Sequence, residues 1–394
     1  MESWKLHIPE GTQDYLIDEC YNKEELEHKL NVLFHRWGYR SVETPIYEYY
    51  DVFSDSSKYR HQEEILKFVD RNGRIAALRP DMTVPVARMV ATKMASEPMP
   101  LRLCYCGDVF RYDDLQAGRQ RQFTQVGVEL VGSTSVLADA ELIALAITAL
   151  KYAGLDNPHI VIGQVGLFKS IIEESGVDQS YAQSISRLID QKNIPALAAL
   201  LDEADIDDDY KEILLGLPQW FGGVDILDKA KAMVKEPAIM AGLDNIYGIY
   251  DALARRGLND FVSVDLSIIP DLDYYTGMVF NAFVTELGYS ICGGGRYDNL
   301  LANFGTALPA TGFAIGIKRL MLALERQGKL RPAPPCAYLI VYDESGMKKA
   351  FECATQLRRQ GFDVIAEAVE DVGDAAAYAS ERGIKNVLHF CRED

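Results

Sequence analysis

Residues 107–132 read GDVFRYDDLQAGRQRQFTQVGVELVG. Two runs rich in strand formers flank a polar loop, an order that predicts an antiparallel hairpin. The loop concentrates Arg111, Arg119 and Arg121 around Asp113 and Asp114. Guanidinium forks suit phosphate or carboxylate because they donate two parallel hydrogen bonds; a solvated loop with surface ion pairs has the same composition. On the second strand Gln125 and Glu129 are four apart and share a face. Polar groups on an otherwise buried sheet face need partners, so the two could line a small-molecule pocket.

Outward from the hairpin the chain keeps the same character. Upstream, an amphipathic helix from about Glu19 to Trp37 ends at Gly38. The extended run YRSVETPIYEYYDVF (39–53) follows, and Pro45 suits an edge or interface element better than a central strand. RIAALRP (74–80) and RLCYCGDVFRY (102–112) read as strands. VLADAELIALAITALKYAGL (136–155) has apolar residues at helical spacing up to Gly154 and should pack on the sheet. From 165 to 256 helical segments alternate with acidic turns such as DEADIDDDY, an all-helical insertion. VSVDLSII, MVFNAFVTEL and YSICGGG then return to strands, and TGFAIGIKRLMLALERQG gives a strand running into an apolar helix.

The expected fold is therefore α+β, a core of residues 1–164 and 257–330 interrupted by helices at 165–256. RPAPP (331–335) is a stiff linker, since stacked prolines favour extended geometry. Residues 336–394 alternate strand and helix, the pattern of a small parallel α/β unit.

Composition narrows the function classes. The 394 residues are 48% apolar and carry a formal net charge of −18, which argues against an extensive grip on a polyanion such as nucleic acid. No apolar run approaches the roughly 18 residues that span a bilayer, and the first residues lack signal-peptide regions, so a cytoplasmic location is expected. Seven cysteines without a Cys-x-x-Cys, beside six histidines, indicate neither a disulfide framework nor a metal site. Cys104 and Cys106 alternate on one strand face, where buried thiols are expected.

Two further motifs stay ambiguous on their own. LRPDMTVPVAR (78–88) puts Asp81 and Thr83 at a strand end before a helix, where Asp is either an N-cap or a ligand contact. CGGGRYDNLL (292–301) places three glycines before Arg296, Tyr297 and Asp298. A tight turn is the commonest meaning of such a run and close approach of backbone to a ligand is the other; it matches no dinucleotide or phosphate-loop fingerprint.

Taken in order, PEGTQDYL (9–16), ETPIYEYYDVF (43–53), LRPDMT (78–83), FRYDDLQAGRQRQFTQVGVELVG (110–132), LDYYTGMVF (272–280), CGGGRYD (292–298) and GFAIGIKRL (312–320) resemble the histidyl-tRNA synthetases. The resemblance runs colinearly from residue 5 to about 330. It implies a class II synthetase-like antiparallel sheet flanked by helices, and a homodimer formed through the motif around Pro45. It also implies roles at individual positions: Arg111 and Arg319 as the arginines of a nucleotide or anion site, and Asp81, Thr83, Gln125, Glu129, Tyr275 and Tyr297 around a histidine ligand.

Departures from that pattern carry the functional expectation. Before LDYYTG the synthetases read Val-Arg-Gly, and the arginine stabilises charge during adenylate formation; here the aligned residues are Ile269-Pro270-Asp271. Proline offers neither charge nor N–H, and Asp271 would repel an anion, so the loss should cost several kcal/mol of transition-state stabilisation. Asp81 and Asp113 replace glutamates, and Lys318 stands where a glutamate is usual. The C-terminal unit is short for the family's anticodon-binding domain, which with the net charge of −18 removes the reason to expect tRNA.

A synthetase-like core without its catalytic arginine is similar to the regulatory subunits of ATP phosphoribosyltransferase. That likeness implies a non-catalytic chain, without a cofactor or metal of its own, that assembles with the short catalytic subunit at the first step of histidine biosynthesis and helps transmit feedback by histidine. The alternatives are a working histidyl-tRNA synthetase, which requires an arginine at position 270, and a different amino-acid ligase using Arg111 and Arg319.

Overall fold

The computed structural model describes residues 4–54, 64–112, 120–204, 206–268, 274–372 and 374–391. The chain forms two compact units, Met1–Leu330 and Arg331–Asp394.

The first unit begins with α1 (Ile17–Arg36), whose last turn closes at Gly38, where φ is +86°. Next come β1 (Arg40–Ser41), β2 (Tyr47–Tyr49), α2 (Asp51–Ser54), β3 (Lys67–Val69), β4 (Ile75–Leu78) and α3 (Thr83–Met89). The expected hairpin is β5 (Leu101–Phe110) and β6 (Gln122–Val131), followed by α4 (Val136–Tyr152) and β7 (His159–Gln164).

Residues 165–256 hold α5 (Val165–Ser175), α6 (Gln179–Asp190), α7 (Ile194–Glu203), α8 (Asp208–Gly216), β8 (Phe221–Gly222), α9 (Asp225–Met233) and α10 (Pro237–Ala254). The polar turns between them are functional in the local sense: Asp178, Asn193 and Asp207 each accept a backbone N–H of the following helix. Such caps satisfy donors that a helix start otherwise leaves open. β9 (Val262–Asp265), β10 (Met278–Phe283), β11 (Cys292–Arg296), β12 (Ala310–Gly316) and α11 (Ile317–Arg326) complete the unit.

A nine-stranded sheet orders these strands β1-β5-β6-β12-β11-β10-β7-β9-β8. It is antiparallel except where β1 joins β5 and β7 joins β9. α4 packs on this sheet with α1 and α11 over a continuous core that includes Val126, Val128, Leu130, Phe280, Phe313 and Ile315. Most of α4 from Ala138 to Leu150 is buried, Asp139 included.

The run 39–53 departs from the single extended element expected for it. β1 joins the nine-stranded sheet, the chain crosses at Thr44–Pro45, and β2 joins a second, three-stranded sheet ordered β2-β4-β3. A proline that cannot donate to a ladder marks the crossing.

The glycine run lies as the strand reading of YSICGGG expects: Gly293 to Gly295 are inside β11, a central strand, and of the run's two open meanings the tight turn is not the one seen. The reason for glycine there is crowding, since a Cβ at Gly294 would lie 2.3 Å from the Gly312 carbonyl oxygen. Cys104 is buried as expected, whereas Cys106, two residues nearer the open end of β5, is exposed.

The second unit comprises β13 (Tyr338–Tyr342), α12 (Met347–Arg359), β14 (Val364–Ala368), α13 (Val369–Val372), α14 (Ala375–Glu381) and β15 (Asn386–Phe390). Its three strands are parallel in the order β14-β13-β15, and Leu339 and Val341 on one side and Ile340 on the other enter separate small cores. Among the described residues no helix is long and apolar enough to cross a membrane.

Candidate functional site

The site lies on the face of the large sheet opposite α4. Register aligns Leu103, Glu129, Gly312 and Gly295 in one row across β5, β6, β12 and β11, and Tyr105, Gly127, Ala314 and Gly293 in the next. Strand alternation puts all of them on one face. The small residues open a trough, and the few large polar side chains lie in it. A Cβ at Gly312 would fall 1.7 Å from Glu129 Oε2, and one at Gly127 would fall 2.6 Å from the Tyr105 hydroxyl.

Glu129 is the centre, only 1% exposed. Its carboxylate accepts hydrogen bonds from Thr83 Oγ1 at 2.8 Å, from the Tyr105 hydroxyl at 3.2 Å and from the Tyr297 hydroxyl. Burial pushes its pKa from 4.5 up to about 7, against the opposing pull of the three hydroxyl donors, and the nearby Asp81 charge pushes the same way as burial. Asp81 is 2% exposed; burial raises its pKa from 3.8 to about 6, while the Val84 N–H and the Arg111 guanidinium oppose the rise.

Of the two readings of Asp81, the capping one is seen in the hydrogen bonds. Oδ1 accepts the Val84 N–H at 2.9 Å, as a capping carboxylate does, while Oδ2 is buried and has no partner among the described residues. The side-chain oxygen of Gln125 is also buried and unpartnered. Buried acceptors without donors are costly, which makes these two oxygens the open valences of the site.

Aromatic rings form the wall. Tyr274 lies 4.8 Å from Tyr275 and 5.7 Å from Tyr297, the latter edge to face. Tyr274 and Tyr297 are buried, whereas Tyr275, Thr83, Gln125 and Arg111 are half-buried and make the rim. A cup with two carboxylates at its floor and phenol rings at its side suits a small ligand carrying an ammonium or an imidazole N–H.

The two arginines expected at an anion site are engaged within the protein. Arg111 Nε donates to the Pro80 carbonyl at 2.7 Å and its guanidinium sits 5.7 Å from the Phe123 ring centroid. Arg319 donates to the Ser290 carbonyl at 2.8 Å and lies 5.1 Å from the Tyr289 ring centroid. Arg319 stands one turn beyond Gly316, the register partner of Gln125, so it belongs to the same end of the trough. Lys318 pairs with Glu19 at 3.8 Å. Among the described residues no cluster of His, Cys, Asp and Glu could hold a metal ion.

The N-terminal segment bridges this end. Gly11 accepts the backbone N–H of Arg121 at 2.8 Å, Gln120 donates to Gln13 at 2.8 Å, and Gln13 donates to Glu19 at 2.9 Å. Through Glu19 and Lys318 the segment joins the residues just before β6, at the loop end of the hairpin, to α11.

Sequence reasoning missed Tyr105, Tyr274 and Arg79. The signal for Tyr105 was Gly127, whose missing side chain lets the ring lean across β6 towards Glu129, but pairing register cannot be read from either strand alone. Arg296, by contrast, is structural: it forms a buried two-pronged ion pair with Asp139 at 2.8 and 3.0 Å, tying β11 to α4. Asp113, Asp114, Arg119, Ile269, Pro270, Asp271 and Asp273 lie outside the described residues.

Comparison with known proteins identifies the family of the fold. The family model described as histidyl-tRNA synthetase matches residues 11–320. The ATP phosphoribosyltransferase regulatory subunit of Acetivibrio thermocellus is 43% identical over 390 residues, covering 98% of this chain and 93% of that protein. Its counterpart in Ruminiclostridium cellulolyticum is 38% identical over 395 residues, covering 100% and 94%. A crystal structure titled as an ATP phosphoribosyltransferase regulatory subunit/histidyl-tRNA synthetase from Bacillus halodurans matches with a TM-score of 0.89 at 30% identity, covering 100% of both chains. With a synthetase-type fold matched end to end by proteins of one name, the chain belongs to the histidyl-tRNA synthetase-like family of ATP phosphoribosyltransferase regulatory subunits.

Proposed function

We propose that this chain is a non-catalytic subunit that assembles with the short catalytic subunit of ATP phosphoribosyltransferase in the cytoplasm and binds histidine in the Glu129 cup. The observation that carries the histidine reading is the buried carboxylate of Glu129, held by three hydroxyls beside the open oxygen of Asp81. A cationic ammonium entering there would recover the ionised carboxylates that burial disfavours. Feedback follows if histidine binds the inhibited and active states of the assembly with different affinity.

The sequence Ile269-Pro270-Asp271 supports the absence of adenylation chemistry, because no guanidinium is present there to take up charge as the adenylate forms. The net charge of −18 argues against a broad cationic surface for tRNA. Self-association fits the second sheet, where Tyr47, Tyr49 and Phe68 share one face and are 54%, 48% and 41% exposed, with Arg74 beside Tyr49. Aromatic and arginine side chains of this kind are enriched at protein interfaces, and a second copy of the chain is the occupant we assign.

Co-expression tests the assignment. The two chains together should form phosphoribosyl-ATP and either alone should not; histidine should inhibit the pair, and Glu129→Ala should weaken that inhibition while the assembly persists. Histidine-dependent pyrophosphate exchange by the purified chain alone would overturn the non-catalytic reading. Unchanged inhibition in Glu129→Ala would move the histidine site elsewhere.

A further inference from the structure

Arg79 precedes the pocket turn, is 6% exposed, and its guanidinium reaches acceptors on two other parts of the chain. Nε donates to the Asp108 carbonyl at 2.7 Å; Nη1 donates to the Thr44 carbonyl at 2.7 Å and lies 3.3 Å from the Pro45 carbonyl oxygen. These acceptors belong to β5 and to the crossing between the two sheets. The backbone of Arg79 repeats the pattern, donating to the Ile46 carbonyl at 3.0 Å and accepting the Phe110 N–H at 2.9 Å. One residue on, the Pro80 carbonyl is held by Arg111, and one further is Asp81 with its open oxygen.

The direct acceptors of this buried cation are backbone carbonyls and the Thr44 hydroxyl, so its hydrogen bonds fix geometry in three segments at once. Removing such a donor leaves several buried carbonyls open, and the turn it holds would relax. β5 is shaped for it: a Cβ at Gly107 would fall 2.5 Å from Arg79 Nη2.

We infer that Arg79 is a positioning residue for the ligand cup, locking the Arg79-Pro80-Asp81 turn to the Thr44–Ile46 crossing so that the Asp81 carboxylate faces the ligand. The inference rests on the reading that the cup binds histidine. It assigns Arg79 an effect that passes through Asp81, which a general contribution to folding would not do.

A double-mutant cycle on the full chain, read as histidine affinity by calorimetry, tests it. Arg79→Lys keeps the charge but cannot fork to Thr44 and Asp108 together, and should weaken histidine binding about tenfold, a loss that is absent when Asp81→Asn is already in place. Losses that multiply, or Arg79→Lys binding as tightly as the parent, would overturn the inference. Gly107→Ala is the second variant: it displaces the guanidinium without removing it, should give the same non-additive loss, and decides the matter with the same two outcomes if Arg79→Lys does not fold. A parent chain that binds no histidine would instead overturn the cup reading, and the inference with it.

Discussion

On β6, Val126, Val128 and Leu130 pack into the core shared with α1, α4 and α11, while Gln125, Gly127 and Glu129 occupy the other face. The neighbouring strand repeats the division, with Phe313 and Ile315 on the core side and Gly312, Ala314 and Gly316 on the other. The first face is filled to contact, as protein interiors are. The second has been stripped to small residues around a handful of hydrogen-bonded polar groups. A substitution on the core side should therefore be read out as stability, and one on the trough side as ligand affinity.

The comparison breaks most easily at Phe313, which touches Phe34 and Phe280 edge to face at 5.9 and 6.2 Å. Phe313→Ala should cost about 4 kcal/mol of folding free energy in urea titrations, and histidine affinity of the folded fraction should hold. A comparable loss of affinity would show that the two faces are not separable.

Next in size is a pH effect. Glu129 holds its proton more tightly when folded, with a pKa of about 7 against 4.5, so between those values the folded state binds more protons than the unfolded state. Its contribution is fully present below about pH 4.5 and is lost as the pH rises through about 7, a decline of about 3 kcal/mol at 1.36 kcal/mol per unit. Asp81 acts in the same direction over a lower range, from 3.8 to about 6. Glu129→Gln should flatten the fall in stability relative to the parent chain, and a slope unchanged by that substitution would remove the carboxylate from the account.

Gly312→Ala sharpens the comparison from the trough side. Its Cβ would displace the Glu129 carboxylate, and histidine affinity should drop about a hundredfold, near 2.8 kcal/mol, as measured by calorimetry. The smallest expected effect is at Gln125: removing a half-buried side chain with an open acceptor in Gln125→Ala should cost about 1 kcal/mol of binding and leave the urea midpoint in place.

The hairpin, the order of strands and helices after it and the apolar face of α4 were legible in the sequence because each follows from local periodicity. The trough was not, for a physical reason. Tyr105 belongs to the site through a gap at Gly127 on another strand, and the glycines of β11, though they fall in a run that reads as a strand, do not show in sequence the close backbone approach at Gly312. The run 39–53 was legible as edge structure, since β1 and β2 both lie at sheet edges, but one extended run does not show that the chain crosses from one sheet to another at its proline. The pair Gln125 and Glu129 was legible from strand parity, while the role of Arg79 depends on carbonyls far away in the chain.

The segment from Gly11 to Glu19 has a consequence for how the molecule comes apart. It is tied down by amides, carbonyls, the Glu19–Lys318 pair and the ring of Tyr15 against the core; apart from that one ring its contacts are polar, and contacts of that kind open at lower free energy than a packed sheet. A protease that nicks it would slacken the start of β6 and the start of α11 together, reaching the rim of the cup without touching any residue inside.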